Sequence, residues 1–258
     1  MSEPLITFWV TSTGREYAVP CVTELVKHCT YPNYRVLIYE SKPDNEHNTM
    51  DVFNSLDCDK KIWSATGAWP HLGSIYNRFM AETDQYFMRV DDDCWPFCDP
   101  APQLQDAVDV LRDQPLLHTV SHVAMESNPR ISYDVATSTT PLSSDGGFRG
   151  GCVRAPWGAF VLFSYHPGLS LVRKEFVTPW SETVPWRDVE LVHMNALAAR
   201  GYKSAYMLKW WGCFGHFGTV AFDGLIKQRS TDRSVLYRDR GYYGLRPEAT
   251  WATRPSDV

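Results

Sequence analysis

The residues best suited to chemistry in this sequence are three adjacent aspartates, Asp91, Asp92 and Asp93, in the stretch RVDDDCWPF. They follow an apolar run, and buried carboxylates are costly unless a cation or hydrogen-bond donors balance their charge. Side chains of an extended segment alternate, so Asp91 and Asp93 face one side and Asp92 the other. Two carboxylates on one side suit Mg²⁺ or Mn²⁺. We expect a metal and phosphate site there and a structural hydrogen-bonding role for Asp92; a solvated acidic turn is the alternative.

A more distant carboxylate, Asp188, lies in the stretch WRDVELVH at the predicted start of a helix. The helix dipole favours an anion there, and an ionised carboxylate could take a proton from a hydroxyl group. Ordinary capping of the helix is the alternative. His216 lies between glycines in CFGHFGT, a pattern that allows either a structural hydrogen bond or a ligand role.

The segment 227–240 contains five basic and two acidic residues. Its arginine and lysine side chains could hold a diphosphate, contact nucleic acid or lie in a solvated tail. The net charge of −5 opposes a general affinity for nucleic acid, although it excludes no local contact.

Regular elements must position these residues, and the hydrophobic pattern predicts alternating strands and helices. Runs rich in β-formers predict strands, and apolar residues at helical spacing predict helices, in the order strand 5–10, helix 19–29, strand 35–40, helix 72–80, strand 85–90. This order is typical of a parallel α/β sheet. The loops TSTGRE, ESKPDN and DDDCWP therefore leave one edge of the sheet, where ligands of such sheets bind.

The second half of the chain has a weaker pattern. It predicts a helix over 102–114, strands over 116–125, 159–164 and 203–211, and a helix from 189 that ends at Gly201. Glycine-rich residues 126–158, the segment 176–188 and the chain from Gly212 onward are predicted to be irregular.

Composition predicts one globular domain, because the chain has 258 residues, 44% of them hydrophobic, and no linker-like stretch. Seven cysteines without disulfide-type spacing indicate reduced thiols, and Cys94 and Cys98 lack the second pair of ligands that a zinc site needs. The N-terminus does not resemble a signal peptide, and no apolar run reaches membrane-spanning length. We expect a cytoplasmic protein without a transmembrane segment.

Three blocks in order resemble the family 2 glycosyltransferases of the GT-A fold. They are YPNYRVLIYESKPDN, GSIYNRFMAETDQYFMRVDDDCWP and WRDVELVHMNALAARGYKSAYM, within roughly residues 5–218. The resemblance implies a single α/β domain of the GT-A fold, with a mixed, mostly parallel sheet flanked by helices. It implies a nucleotide-sugar-binding half over 1–100, an acceptor and catalytic half over 101–218, and a basic lid or tail over 219–258.

The resemblance also implies a metal-dependent, inverting transfer of a hexose or pentose from a nucleoside-diphosphate sugar to an acceptor hydroxyl. Asp188 would be the catalytic base. A Mn²⁺ or Mg²⁺ ion would be held by Asp93, with Asp91 and His216. Glu40 would contact the base of the nucleotide, within a nucleotide-sugar site that comprises Thr11, Ser12, Arg15, Glu40, Arg78, Asp91 and Asp92.

The sequence departs from the family pattern at several positions. Glu40-Ser41 stands where two aspartates are usual, and Arg187-Asp188 stands where a Glu-Asp pair is usual. Asn77-Arg78 inverts the more common order, and the QxxRW motif of processive polysaccharide synthases is absent. These departures leave the identity of the base open and oppose a processive synthase.

Two other functions remain open from the sequence. A sugar nucleotidyltransferase also binds phosphates at an α/β crevice, although TSTGRE is a poor match to its glycine-rich basic loop. A non-catalytic module that binds carbohydrate or nucleic acid is the other. For a transferase, the acceptor could be a glycan, a protein, a small molecule or a modified DNA base. The sequence does not determine the donor or the oligomeric state.

Overall fold

A computed structural model provides the three-dimensional structure. It describes residues 3–15, 18–65, 71–92, 94–96, 99–115, 117–122, 152–155, 158–163, 170–184, 189–200, 202–207 and 214–216. The fold below is that of these residues.

A nine-stranded sheet forms the centre of the molecule. Its strands are β1 (Ile6–Ser12), β2 (Tyr34–Glu40), β3 (Lys60–Ser64), β4 (Tyr86–Asp91), β6 (Leu117–His122), β7 (Cys152–Ala155), β8 (Gly158–Phe163), β9 (Ser170–Arg173) and β10 (Lys203–Met207). Two short strands, β5 (Cys94–Pro96) and β11 (Phe214–His216), pair separately.

The sheet is mixed, and seven of its nine described strands run in the same direction, as predicted for a mostly parallel sheet. Its order is β3-β2-β1-β4-β9-β6-β10-β8-β7. The ladders among β3, β2, β1 and β4 are parallel, and so is that between β6 and β10. Strands β9 and β8 pair antiparallel with both of their neighbours, so they run against the other strands.

Helices cover both faces of the sheet, because alternate strand residues point to opposite sides. The helices are α1 (Ala18–His28), α2 (Thr49–Ser55), α3 (Leu72–Glu82), α4 (Ala101–Asp113) and α5 (Val189–Ala199). Ile6, Phe8 and Val10 of β1 pack in one core cluster with buried residues of α1, α2 and α4. Trp9, between them, packs in a second cluster with α3 and with Val189 of α5.

The helices that the sequence predicted most clearly are present. Helix α3 buries Leu72, Ile75, Tyr76 and Phe79, which the helical spacing had placed on one face. Helix α4 likewise buries its predicted face, Leu104, Ala107, Val108 and Leu111.

Other predictions of regular structure were wrong or incomplete. Strand β7 lies within 126–158, a segment predicted to be irregular, and β11 lies in the region after Gly212. Helix α2, strand β9 and a 3-10 turn at Lys174–Phe176 were not predicted. These elements have three to seven residues, too few for a hydrophobic period to be recognised. The predicted cap at Gly201 lies outside the described residues.

Within the described part of the chain, no helix has the length and apolar character needed to cross a membrane.

Candidate active site

The carboxyl ends of three parallel strands lie side by side, as the loop pattern predicted. The ladder between β1 and β2 pairs Ser12 with Glu40, and the ladder between β1 and β4 pairs Thr11 with Asp91. Four residues that the sequence assigned to a nucleotide-sugar site are therefore close together at one edge of the sheet. This is the edge at which open α/β sheets bind ligands.

Glu40 is a buried anchor at this edge, with 0% of its surface exposed. Ser12 Oγ and Thr49 Oγ1 donate hydrogen bonds to its Oε2 at 2.6 and 2.8 Å, and the Lys42 backbone N–H donates to Oε1 at 2.7 Å. These donors offset the cost of burying a carboxylate. A direct contact between Glu40 and a base stays a prediction, and it would require this buried side chain to become exposed.

Further hydrogen bonds join the loop after β1 to the loop after β2. The Ser41 backbone N–H and Oγ both donate to the Ser12 carbonyl, at 3.0 and 2.9 Å, and the Gly14 N–H donates to Ser12 Oγ at 3.2 Å. Gly14 has φ +67°, a conformation that favours glycine, and a Cβ there would lie 2.9 Å from Lys42 Cβ. The two loops are thus packed closely enough to act as one unit.

The first two aspartates of the tract have different surroundings. The Asp91 carboxylate is 23% exposed, and its Oδ1 accepts a hydrogen bond from Arg89 Nη2 at 2.5 Å. Asp92 is buried, and its Oδ2 accepts hydrogen bonds from the backbone N–H and the Oγ1 of Thr13, at 3.0 and 3.2 Å. Asp92 therefore has the structural hydrogen-bonding role expected from side-chain alternation: it joins the end of β4 to the loop after β1.

The predicted metal ligands are Asp91, Asp93 and His216. Asp93 lies outside the described residues, among which no group of three or more His, Cys, Asp or Glu side chains could hold a metal ion. The backbone of β11 nevertheless pairs His216 with Cys94, the residue directly after Asp93. Carboxylates suit Mn²⁺ and Mg²⁺, and imidazole is a common metal ligand. This backbone register fits a site formed by Asp91, Asp93 and His216, which stays a prediction.

The sequence also assigned two arginines, Arg15 and Arg78, to the nucleotide-sugar site. Arg15 follows β1, and its carbonyl accepts a hydrogen bond from the Ala18 N–H at 3.1 Å, at the start of α1. Arg78 is exposed on α3. Burial raises the pKa of Tyr39, at the end of β2, and the positive charge of Arg78 lowers it in part. Both arginine roles stay predictions.

Asp188 lies outside the described residues, directly before Val189 at the start of α5. Val189 is buried in the same core cluster as Trp180. The Trp180 ring also stacks on His193 of α5, with centroids 4.0 Å apart and 24° between the planes. The start of the helix that follows Asp188 is therefore packed against the segment that precedes it.

Sequence reasoning missed the hydrogen bonds of Thr13 and Thr49 at this edge, and those that join Asn77 of α3 to the segment before α5. Thr13 had a weak signal, because it adjoins Ser12 in the polar loop after β1. Asn77 hydrogen-bonds Trp180, which lies 103 residues further along the chain. No spacing in the sequence indicates a pairing over such a distance.

Solved structures share this fold. S. aureus TarS residues 1–349, in complex with UDP-GlcNAc, is 10% identical and has a TM-score of 0.55 over 84% of this chain and 59% of that chain. The mannosyltransferase PcManGT from Pyrobaculum calidifontis, in complex with GDP-Man and Mn²⁺, is 16% identical and has a TM-score of 0.51 over 79% of this chain and 56% of that chain.

A third structure, S. aureus TarS, is 12% identical, with a TM-score of 0.57 over 87% of this chain and 38% of that chain. The chain thus spans less than two thirds of the length of each of these structures. No family model and no curated protein matches the sequence. At these identities the similarity establishes the fold, which is the GT-A fold of glycosyltransferases.

Proposed function

We propose that this protein is a glycosyltransferase that transfers a sugar from a nucleoside-diphosphate sugar to an acceptor hydroxyl. The observation that carries the proposal is the match of at least 79% of the chain to glycosyltransferase structures, two of which are named as complexes with UDP-GlcNAc and with GDP-Man and Mn²⁺. Fold alone does not determine function, so the proposal also needs a suitable site.

The site supports the same function. Ser12, Glu40 and Asp91 lie at the carboxyl edge of parallel strands, where a nucleotide would bind beside β1, β2 and β4. Buried hydrogen bonds hold the loops at this edge, so that ligand binding would need little reorganisation. Arg15 and Arg78 would supply positive charge toward a diphosphate.

In the proposed reaction, Asp188 removes the proton of the acceptor hydroxyl. Its carboxylate would take the proton of the acceptor hydroxyl as the acceptor oxygen attacks the anomeric carbon. The bond from that carbon to the diphosphate oxygen breaks on the opposite face, so the configuration inverts. The start of a helix suits this base, because the helix dipole favours its ionised form.

Asp93, with Asp91 and His216, would hold a Mn²⁺ or Mg²⁺ ion. Such an ion, when bound, offsets the negative charge that develops on the leaving nucleoside diphosphate. The support for this assignment is the pairing of His216 with Cys94, next to Asp93.

The test is to incubate the protein with Mn²⁺ and each of several sugar nucleotides, including UDP-GlcNAc and GDP-mannose, and to identify the phosphate product. We expect binding of at least one sugar nucleotide by calorimetry, and release of a nucleoside diphosphate as water takes the place of the acceptor hydroxyl and receives the sugar. Pyrophosphate as the product would instead indicate a sugar nucleotidyltransferase. Absence of binding and release across the panel would overturn the proposal.

Asp188→Asn tests the base within the same experiment. Release of the nucleoside diphosphate should fall about 100-fold or more, because a positioned base contributes about that much, while binding of the sugar nucleotide is retained. Asp113→Asn, at an exposed position at the end of α4, is the matched control and should leave both unchanged. Wild-type turnover in Asp188→Asn would remove this residue from the mechanism.

A further inference from the structure

Asn77 of α3, which has no role in the proposed chemistry so far, makes three hydrogen bonds to the segment before α5. Asn77 Oδ1 accepts a hydrogen bond from the Trp180 backbone N–H at 2.7 Å, and its Nδ2 donates to the Trp180 carbonyl at 3.0 Å. The same Nδ2 donates to Glu182 Oε1 at 2.8 Å. The amide therefore binds this backbone as another peptide group would, which fixes both its position and its direction.

The neighbouring turn of α3 fits the same segment closely. A Cβ built on Gly73 would lie only 1.9 Å from the Ser181 carbonyl oxygen, so even a methyl group would displace the backbone. The Tyr76 ring meets Trp180 edge to face, with centroids 4.9 Å apart. We call these contacts of Gly73, Tyr76 and Asn77 with residues 180–182 the α3 clamp.

The clamp connects two parts of the protein, helix α5 and the end of strand β4. On one side, Trp180 stacks on His193, in the second turn of α5. On the other side, the Arg89 guanidinium lies 5.9 Å from the centre of the Tyr76 ring, and Arg89 pairs with Asp91 at 2.5 Å. Helix α3 thus contacts Arg89, which pairs with Asp91, and Trp180, which packs on the helix that follows Asp188.

From these contacts we propose that Asn77 is a positioning residue: through the α3 clamp it holds the start of α5, which directly follows the proposed base Asp188 in the chain, in a fixed position relative to Asp91. The inference rests on the proposed function and adds to it a residue that touches no substrate. Catalytic groups misplaced by about 1 Å can lose about 100-fold in rate, so a rigid support should affect turnover more than binding.

The variants that test this are Asn77→Ala, Asn77→Asp and Gly73→Ala. Asn77→Asp is nearly isosteric and can still accept from the Trp180 N–H, but it cannot donate to the Trp180 carbonyl. Gly73→Ala leaves the Asn77 amide intact but displaces residues 180–182 through a different contact, that of position 73 with the Ser181 carbonyl. Gln105→Ala is the control, because Gln105 also bears an amide on a helix, and its hydrogen bond to Asp109, at 3.2 Å, stays within α4.

Each folded variant is compared with the wild type for calorimetric binding of UDP and GDP with Mn²⁺, and for release of nucleoside diphosphate from UDP-GlcNAc and GDP-mannose. We expect kcat to fall at least tenfold in the two Asn77 variants and in Gly73→Ala. The Kd of the nucleotide and the KM of the sugar nucleotide should change less than about twofold, and Gln105→Ala should match the wild type. Hydrogen exchange should increase over 177–184 and 189–199 in the clamp variants only.

Equal losses in binding and in kcat, or full turnover in Asn77→Asp and Gly73→Ala, would overturn the positioning role. So would unchanged hydrogen exchange over 177–184 and 189–199. A wild-type protein that turns over no sugar nucleotide would overturn the proposed function and this inference with it. An active wild type with equally active clamp variants would overturn the inference alone.

Discussion

At the scale of single residues, Glu40 is a fully buried carboxyl group at the candidate active site. A carboxylate with no exposed surface is tolerated because Ser12, Thr49 and the Lys42 N–H all donate to it. Its contacts place it beneath the two loops that would surround a nucleotide. The residue at the end of β2 therefore supports the site from within the protein.

We expect Glu40→Ala to lower the free energy of unfolding by about 3–5 kcal/mol, because it leaves buried donors without an acceptor. Glu40→Gln should cost about 1–2 kcal/mol, since the amide keeps one acceptor oxygen. Denaturant unfolding measures both. Glu46→Gln, in the same loop with an 87% exposed side chain, is the control and should be neutral.

Nucleotide binding distinguishes support from direct contact at Glu40. If Glu40 acts by holding the loops, Glu40→Gln should weaken the binding of UDP and the binding of GDP to the same extent, as measured by calorimetry with Mn²⁺. A change of about tenfold in the ratio of the two dissociation constants would instead show that this carboxylate contacts the base.

At the scale of elements, the loops after β1 and β2 depend on one glycine. Gly14 has φ +67°, and its Cα approaches Lys42 so closely that an added Cβ would lie 2.9 Å from Lys42 Cβ. Among the described residues, two have a positive φ: Gly14 and Asn48, whose φ is 51°. The Asn48 side chain makes no capping hydrogen bond to α2.

Gly14→Ala should destabilise the protein by about 1–3 kcal/mol, because it adds both backbone strain and a steric contact. Asn48→Gly is the matched control: it relieves the positive φ, loses no capping bond and should change stability by less than about 0.5 kcal/mol. Urea titrations of both variants give the comparison. A neutral Gly14→Ala would show that the two loops can separate without cost.

At the scale of the whole molecule, the largely apolar interior includes two buried histidines. His118 of β6 and His193 of α5 are 2% and 6% exposed. Burial lowers the pKa of His118 to about 3, and the nearby His193 lowers it further by charge repulsion. Burial likewise lowers the pKa of His193 to about 4, and the positive charge of Arg200 also lowers it. Both imidazoles are therefore neutral in the folded protein near neutral pH.

These histidines make the fold sensitive to acid. An unfolded histidine takes up a proton near pH 6.5, but these folded ones do so only near pH 3–4. Between these values the unfolded state binds more protons, so stability is full above about pH 6.5 and falls as the pH decreases. As the pH falls below about 6.5, each histidine should lower the free energy of unfolding by up to about 1.4 kcal/mol per pH unit.

Denaturation midpoints between pH 7 and pH 5 measure this dependence. His193→Phe keeps an aromatic ring against Trp180 but removes one titrating group, so its midpoint should depend less on pH than that of the wild type. An unchanged pH dependence in His193→Phe would show that other groups cause the acid sensitivity.

Much of the fold follows from local patterns. The helical spacing of Leu72, Ile75, Tyr76 and Phe79 predicted α3, and the run before Asp91 predicted β4. Elements such as α2 and β9 escaped prediction because they are short, and tertiary packing stabilises them more than their own sequence does.

By itself, the sequence determined which edge of the sheet bears the acidic residues. The hydrophobic period and the succession of strands and helices along the chain are local properties of the sequence. They place Ser12, Glu40 and Asp91 at the ends of their strands. Only the tertiary structure decided what these residues contact. The bonds from Thr13 to Asp92 and from Asn77 to Trp180 join positions 79 and 103 residues apart. Hydrogen-bonding groups are specific only once they are close and correctly oriented, and chain folding alone establishes that proximity.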